Sequence, residues 1–245
     1  PMLVDFVDVD SAKWTPYAIT HKWPLSWLYR REGERLLAYE HMVAVSAQRS
    51  FFVTENETSL FRKMAPESAS RVDVISNGVD ADYFSPSTAF TSPFTGSGTP
   101  MAEMPLVFTG AMDYWPNVDA VTWFVQHILP GLLQAWPQLR FYIVGRSPSP
   151  AVLGLASGSV VVTGTVPDVR PFLQHAAIVV APLRVARGIQ NKILEAMAMA
   201  RPVVASQSCV EAIDACPGEE LVSATNATDF VREINALLKA PARAT

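Results

Sequence analysis

The stretch from Ile178 to Ser206 reads IVVAPLRVARGIQNKILEAMAMARPVVAS. It starts with a short apolar run, passes through a turn that contains Gly188 into a segment with helical periodicity, and ends in a second apolar run. Short β-branched runs that alternate with amphipathic helices are typical of parallel strands joined by crossover helices. The stretch therefore predicts one βαβ unit of a parallel sheet.

The same alternation continues on both sides of this unit. The predicted strands are Leu106–Thr109, Arg140–Val144, Val160–Thr163, Ile178–Ala181 and Val203–Ser206, and the predicted helices are Asn117–Leu133, Val169–His175, Ile189–Ala200 and Ala227–Leu238. We therefore expect residues 105–240 to form an α/β domain, a doubly wound, Rossmann-like parallel sheet with helices on both faces.

The N-terminal part of the chain carries fewer strand signals. We predict strands from Leu3, at Phe51–Thr54 and at Arg71–Ile75, a long helix over residues 26–47, and a helix over Glu55–Met64 that begins with a capping box of Thr54 and Glu57. These strands are too few for a second complete doubly wound domain. Residues 1–84 are therefore expected to be the closing segment of another domain, whose beginning is missing, together with a crossover.

A linker is predicted between the two regions. From Ser85 to Pro100, 13 of 16 residues are Ser, Thr, Pro or Gly, and none is charged. Such a composition buries little apolar surface and is typical of segments without packed structure. We assign residues 85–104 to an interdomain connection.

Composition excludes several classes of protein. Of 245 residues, 49% are apolar and 17% are charged, which argues against disordered and coiled-coil chains. The net charge of −4 disfavours nucleic acid as a partner. The two cysteines, Cys209 and Cys216, fit a reducing compartment, and we expect both to be buried and not to bind zinc. No apolar run approaches the roughly 18 residues of a membrane span.

Candidate site residues follow the predicted strands, because ligands of such sheets bind at the carboxyl ends of the strands. The turn before the predicted helix at Ile189 contains Gly188, which allows close approach of a ligand to the backbone at the positive end of a helix. Arg187 and Arg184 before the helix, with Lys192 inside it, add positive charge. Glu195 follows Lys192 by three residues, so both project from one helical face. The arrangement suits a diphosphate and a ribose diol.

Four stretches of the chain resemble one known family. They are residues 74–80 with Tyr83 and Phe84, residues 108–117 (FTGAMDYWPN), residues 142–146 (YIVGR) and residues 187–206. In this order they resemble retaining glycosyltransferases of family four, with the GT-B fold, and especially the sugar transferases of bacterial exopolysaccharide and exosortase gene clusters. The resemblance implies that residues 105–240 are the C-terminal, nucleotide-sugar-binding half of that fold and that residues 1–84 are a remnant of the acceptor domain.

The resemblance also assigns roles to residues. Glu195 resembles the second glutamate of the family's pair, which binds the donor ribose, whereas the position of the first is occupied by Arg187. The usual Arg and Lys after the first strand are absent from the turn at Gly110. Charge neutralisation in catalysis then falls to Arg187 and Lys192. The substrate-binding positions implied or inferred from the turns are Gly110, Arg146, Val166, Gly188, Ile189, Glu195 and, on the acceptor side, Asp10.

The implied reaction is a hexosyl transfer from a nucleotide diphosphate sugar to a hydroxyl of an unknown sugar or lipid-linked acceptor, with retention, without metal and without a cofactor other than the donor substrate. We expect a cytoplasmic location, including peripheral association with the cytoplasmic face of the inner membrane. The 245-residue chain by itself is expected to bind donor weakly and to transfer little.

Other interpretations remain open at this level. The departures from the family pattern at Arg187 and Met112 also fit a noncatalytic, Rossmann-like interaction module. A nucleotide-sugar epimerase is a further alternative, because it shares the fold. Lys192 and Glu195 can form an ordinary surface ion pair. Arg146 can be a surface charge, and Arg184 can pack its stem against the sheet edge.

Overall fold

The chain forms two compact units. The computed structural model describes residues 1–94, 103–186 and 188–240. Unit 1 comprises Pro1–Asn77, and unit 2 begins at Gly78. Across these described ranges, no helix combines the length and the apolar character that crossing a bilayer requires.

Unit 1 is a three-stranded parallel sheet with helices. Its elements are β1 (Leu3–Val7), α1 (Asp10–Thr20), α2 (Leu25–Ser46), β2 (Arg49–Phe52), α3 (Glu55–Met64), a 3₁₀ helix (Pro66–Arg71) and β3 (Val72–Val74), and the strand order is β1-β2-β3. The predicted opening strand ends at Val7, and α1 was not predicted because Pro16 interrupts its helical pattern. A small core contains the stacked rings of Phe6 and Phe52, with centroids 5.3 Å apart.

Buried acidic side chains connect the elements of unit 1. The Thr54 hydroxyl accepts a hydrogen bond from the Glu57 backbone N–H at 3.1 Å, so the predicted cap is confirmed. The Glu57 carboxylate, however, accepts from the backbone N–H of Val9 at 2.8 Å, which ties α3 to the residue before α1. Glu40 of α2 accepts from the backbone N–H of Ser11 at 3.0 Å and from its hydroxyl at 2.6 Å. Burial raises the pKa of this Glu40 carboxyl.

Unit 2 is a six-stranded parallel sheet covered by helices. Its elements are β4 (Met104–Thr109), α4 (Trp115–Trp123), a π-helical turn (Phe124–Ile128), α5 (Leu129–Ala135), β5 (Leu139–Val144), α6 (Pro150–Leu153), β6 (Val160–Gly164), α7 (Arg170–His175), β7 (Ile178–Ala181), α8 (Asn191–Ala198), β8 (Val203–Ser206), α9 (Gln207–Val210), β9 (Val222–Ala224) and α10 (Ala227–Lys239). The strand order is β6-β5-β4-β7-β8-β9.

This topology confirms the predicted α/β class with a doubly wound sheet. The strand order reverses beside β4, which pairs with β5 on one side and with β7 on the other. All four residues of β7 are buried, as expected for a central parallel strand with helices on both faces. β9 has only three residues and was not predicted. The predicted single helix Asn117–Leu133 is divided into α4, the π-helical turn and α5.

The segment after Gly78 differs from the predicted linker. Residues 95–102 lie outside the described residues, but residues 85–94 pack on unit 2. Phe94 is buried, with its ring 4.5 Å from that of Tyr142, and the backbone N–H of Ser87 donates to the Gln174 side chain at 2.8 Å. Phe90 and Phe94 pack against the core of unit 2, and with a few specific hydrogen bonds they order a stretch whose average composition predicts no packing.

Glycine turns meet at the carboxyl edge of the sheet. The Gly110 N–H donates to Val144 O at 3.0 Å, and the Gly145 N–H donates to Gly164 O at 3.3 Å. A Cβ on Gly145 would lie 1.7 Å from the Gly110 carbonyl oxygen. No side chain fits into this space, so the turn after β5 can lie against the turn after β4 only with glycine.

We expect Gly145→Ala to destabilise unit 2 by about 3 kcal/mol, the upper end of the usual cost of overpacking, because the added methyl would overlap backbone. Hydrogen exchange of peptides from β4 and β5 during urea unfolding measures this loss. Gly158→Ala is the matched control, since a Cβ there meets nothing within 4 Å. Equal stability of the two variants would contradict the close approach seen at Gly145.

Candidate functional site

The candidate site lies where the strand order reverses, at the carboxyl ends of β4 and β7. Open α/β sheets bind ligands at this point because the flanking connections leave in opposite directions. The turn after β4 begins at Gly110, and the segment after β7 leads from Pro182 to α8. Both connections contain residues predicted to bind substrate.

Lys192, the second residue of α8, reaches across to the turn after β4. Its Nζ donates to Asn117 Oδ1 at 2.7 Å, and Asn117 Nδ2 donates to the Ala111 carbonyl at 2.9 Å. A Cβ on Gly110 would lie 3.2 Å from Lys192 Nζ and 2.8 Å from Asn117 Nδ2. The absence of a side chain at Gly110 thus leaves room for an ammonium group directly above the backbone of this turn.

The surroundings of Lys192 both support and oppose its charge. The ammonium lies 4.2 Å from the centroid of the Phe108 ring, a cation–π contact that favours the charged form. Burial lowers the pKa of Lys192 to about 8, although Cys209 and Glu195 act in the opposite direction. Burial also raises the pKa of the Cys209 thiol to about 11. The hydrogen bond to Asn117 comes from a neutral amide, which supplies no negative charge to balance the ammonium.

Glu195 lies one turn after Lys192 in α8 and is half-buried. Burial raises the pKa of its carboxyl, and the nearby Lys192 opposes that change. The carboxylate therefore does not lie free in bulk solvent. The structure places Lys192 and Glu195 on the same helix, three residues apart, as the sequence analysis expects.

The start of α8 differs from the prediction. The helix begins at Asn191, with Gln190 as its N-cap, and not at Ile189. Gly188 is buried and has φ of 62°, a left-handed conformation that favours glycine. Because of this turn, the helix begins only after Ile189. Arg187, predicted to act in catalysis, lies outside the described residues.

The other predicted positions are distributed around the domain and beyond it. Arg146 is exposed, and its carbonyl accepts from the Met112 N–H at 2.8 Å. Val166, in the connection from β6 to α7, is half-buried against the core. Asp10 belongs to unit 1, where it is the first residue of α1 and forms an ion pair with Lys13. The structure does not bring Asp10 together with Lys192 and Glu195 in one unit.

Arg184 has an acidic partner, which the sequence does not reveal. Its Nε donates to Asp119 Oδ2 at 2.9 Å, a second nitrogen of the guanidinium contacts Asp119 Oδ1, and the group lies 5.8 Å from the Trp123 ring centroid. Asp119 therefore neutralises the charge that the sequence analysis assigned to phosphate binding. The site residue that was missed is Asn117, although it ends the stretch 108–117 that resembles the family.

Other candidate features of the described residues lie away from this site. A cavity of about 480 Å³ is lined by residues at the amino ends of β8 and β9, including Pro202 and Leu221, at the opposite edge of the sheet. Within the described residues, no group of three or more His, Cys, Asp or Glu is arranged to hold a metal ion. Cys209 is buried as expected, but Cys216 is exposed, so that prediction was wrong for Cys216.

Comparison with known proteins gives the family. The family model described as glycosyl transferases group 1 matches residues 103–240, more than half of the chain. The chain belongs to this glycosyl transferase family. No curated protein is significantly similar to it. The matched region begins just before β4 and ends just after α10, so the candidate site lies entirely within the family domain.

This glycosyl transferase family member has the same fold as several solved structures. HepE from Anabaena, in complex with UDP-glucose, has a TM-score of 0.73 at 16% sequence identity, and the match covers 100% of this chain and 64% of the HepE chain. Sucrose-phosphate synthase from Thermosynechococcus elongatus has a TM-score of 0.73 at 17% sequence identity, and the match covers 99% of this chain and 59% of the synthase chain. The C-terminal domain of LpcC from Francisella tularensis has a TM-score of 0.52 at 16% sequence identity, and the match covers 68% of this chain and 90% of the LpcC domain. The predicted GT-B type of α/β fold is confirmed, and the chain spans less than two thirds of HepE and of the synthase.

The low pKa of Lys192 makes the stability of unit 2 depend on pH. Between about pH 8 and pH 9, the unfolded chain keeps a Lys192 proton that the folded state releases, so stability rises with pH; above pH 9 the Cys209 thiol opposes this rise, because the folded state there keeps a proton that the unfolded chain releases. We expect Lys192→Met to lack this rise, whereas Lys239→Met, which removes an exposed lysine, keeps it. Urea unfolding at a series of pH values, followed by hydrogen exchange in β4 and β5, measures the difference.

The titration of Lys192 can also be observed directly. We expect the NMR signal of its ε-methylene, identified by its absence in Lys192→Met, to titrate near pH 8. Asn117→Asp places a negative charge at hydrogen-bond distance from the ammonium and should raise the midpoint. A wild-type midpoint near 10.5 would contradict the burial of this group.

Proposed function

We propose that unit 2 binds the diphosphate of a nucleotide sugar at the turn after β4, and that the protein transfers the sugar to an acceptor hydroxyl. Support comes from membership of the glycosyl transferases group 1 family and from the position of Lys192. The observation that carries the proposal is the buried ammonium above Gly110, whose hydrogen-bond acceptor is the neutral side chain of Asn117. Burial lowers the pKa of Lys192 even with Glu195 nearby, so an anionic ligand would supply further negative charge.

The diphosphate position follows from the geometry of the turn. Gly110 presents bare backbone beneath Lys192 Nζ, and Asn117 holds this nitrogen in place through its bond to Ala111. When the bond between the anomeric carbon and the diphosphate breaks, negative charge develops on the leaving oxygen. A preorganised ammonium in a site with little water stabilises that charge. In this proposal Lys192 therefore acts on the leaving group.

Glu195 supplies the second contact with the donor. Its half-buried carboxylate lies one helical turn beyond Lys192, at a distance suited to a ribose next to the diphosphate. Carboxylate oxygens accept hydrogen bonds from both hydroxyls of a diol. Arg187 remains a proposed second cation, while Arg146, Val166, Gly188 and Ile189 remain proposed donor contacts.

The finer features of the reaction are also part of the proposal. We propose hexosyl transfer with retention, in the synthesis of a bacterial polysaccharide in the cytoplasm, to a sugar or lipid-linked acceptor. The donor serves as substrate, without a further cofactor. Residues 105–240 would hold the donor, and residues 1–84, including Asp10, would contribute to the acceptor side.

Calorimetry with UDP and GDP tests donor binding. We expect Lys192→Met to weaken the binding of the preferred diphosphate by roughly 10- to 100-fold, because a hydrogen bond to a charged group contributes about 1.5–3 kcal/mol. Glu195→Ala should weaken it by about tenfold. Matched controls are Lys239→Met and Glu211→Ala, which change exposed residues. If neither diphosphate binds, or if Lys192→Met binds like the wild type, the proposal fails.

Protonation provides an independent signature of the same contact. At pH 8.5 a substantial fraction of Lys192 is neutral, and a diphosphate beside it raises its pKa, so binding should take up as much as about one proton. Titrations in buffers of different ionisation enthalpy measure this uptake. It should be absent in Lys192→Met and at pH 6, where the ammonium is already fully protonated.

Two other functions predict different results in the same experiments. A noncatalytic interaction module would bind neither diphosphate. A nucleotide-sugar epimerase would convert the sugar of the donor without any acceptor, whereas a transferase needs a second substrate. Chromatography of the products formed from donor alone distinguishes these cases.

A further inference from the structure

The hairpin of α1 and α2 in unit 1 ends in a group of exposed apolar side chains. We define the hairpin tip as residues 19–31, which join the end of α1 to the start of α2. Ile19 is 78% exposed, Trp23 80% and Trp27 58%, and Leu25 and Leu28 are also exposed. Two tryptophans this exposed, with three aliphatic neighbours, form an unusual patch for a protein surface in water.

The hairpin does not need these side chains for its own packing. The facing surfaces of α1 and α2 are joined by Tyr29, whose ring centroid lies 5.7 Å from that of Trp14 and 5.9 Å from that of Tyr17. The start of α1 is fixed to α2 through Ser11 and Glu40. The tip residues are exposed on a hairpin whose facing surfaces are packed by other side chains.

The charge around the hairpin tip is positive. Residues 14–31 contain Lys22, Arg30 and Arg31 and no Asp or Glu, although the whole chain has a net charge of −4. Lys22 and Arg30 are exposed, and the Arg31 guanidinium lies 5.9 Å from the Trp27 ring centroid while pairing with Glu32. The protein is therefore basic at the place where its tryptophans are most exposed.

We propose that the hairpin tip binds the surface of a membrane that contains anionic lipids. Tryptophan prefers the boundary between headgroups and acyl chains, where its ring is buried and its N–H remains hydrated. Basic residues near an anionic bilayer contribute about 1 kcal/mol each, and aliphatic side chains add buried area. The tip is an exposed end of a helical hairpin, which suits a broad lipid surface. This inference is independent of the proposed donor site in unit 2.

Vesicle sedimentation of the 245-residue chain tests the proposal. We expect binding to vesicles of equal parts phosphatidylcholine and phosphatidylglycerol, with at least tenfold weaker binding to phosphatidylcholine alone and weaker binding in 0.5 M salt. Trp23→Ala/Trp27→Ala should reduce binding to the mixed vesicles by at least tenfold. The matched control is Tyr39→Ala/Met42→Ala, which removes similarly exposed side chains of α2 about 18 Å further along the helix.

The contribution of the basic residues and the depth to which the tryptophans enter the bilayer are tested separately. Lys22→Gln/Arg30→Gln should reduce binding to the mixed vesicles by about tenfold or more, whereas Lys63→Gln/Lys239→Gln, which removes two exposed lysines elsewhere, should change it little. Brominated lipids should quench the tryptophan fluorescence of the wild type and lose most of this effect in Trp23→Ala/Trp27→Ala. Circular dichroism verifies that each variant is folded.

Several results would overturn the proposal. These are the absence of sedimentation with mixed vesicles, equal sedimentation of Trp23→Ala/Trp27→Ala and wild type, and quenching that persists without the two tryptophans. A dimer that dissociates in Trp23→Ala/Trp27→Ala, without any effect on vesicle binding, would assign the hairpin tip to a second copy of the chain. Binding of UDP should be unchanged in all of these variants, so this test and the test of donor binding fail independently.

Discussion

The contact between Lys192 and Asn117 links the sheet to the proposed donor site. It places an ammonium group above the backbone of Gly110, at the point where the strand order reverses. A desolvated cation whose hydrogen-bond acceptor is neutral is unfavourable in the unliganded protein, since the nearby Glu195 carboxylate offsets only part of the cost of losing water. Such an arrangement is more readily explained by a ligand than by stability, because anion binding supplies further negative charge.

The sheet topology makes this contact possible. Lys192 belongs to the connection from β7 to β8, whereas Asn117 and Gly110 belong to the connection from β4 to β5. The two connections meet because β4 and β7 are neighbours in the sheet. Close approach of Gly145 to Gly110 then fixes the position of the turn beneath the ammonium. Fold and candidate site are thus consequences of the same strand order.

The two units present different kinds of surface. In unit 2 the proposed functional feature is a desolvated ammonium, whose charge a small anionic ligand would balance. In unit 1 it is an exposed apolar and basic hairpin tip, which an extended anionic surface would cover. The proposals are complementary for a glycosyl transferase family member with a lipid-linked acceptor, since one surface would handle the donor and the other would bring the protein to a membrane. Neither proposal requires the other.

The sequence by itself determined the alternation of strands and helices in unit 2, the glycine turns, and the spacing of Lys192 and Glu195. These features depend on local periodicity and on backbone conformation, which neighbouring residues specify. Only the tertiary structure decided that Lys192 bonds to Asn117, 75 residues away in the chain, and that Asp119 neutralises Arg184. Such partners come from separate elements that strand order brings together. Burial, hydrogen bonding and net local charge at the site therefore depend on contacts that no local pattern encodes.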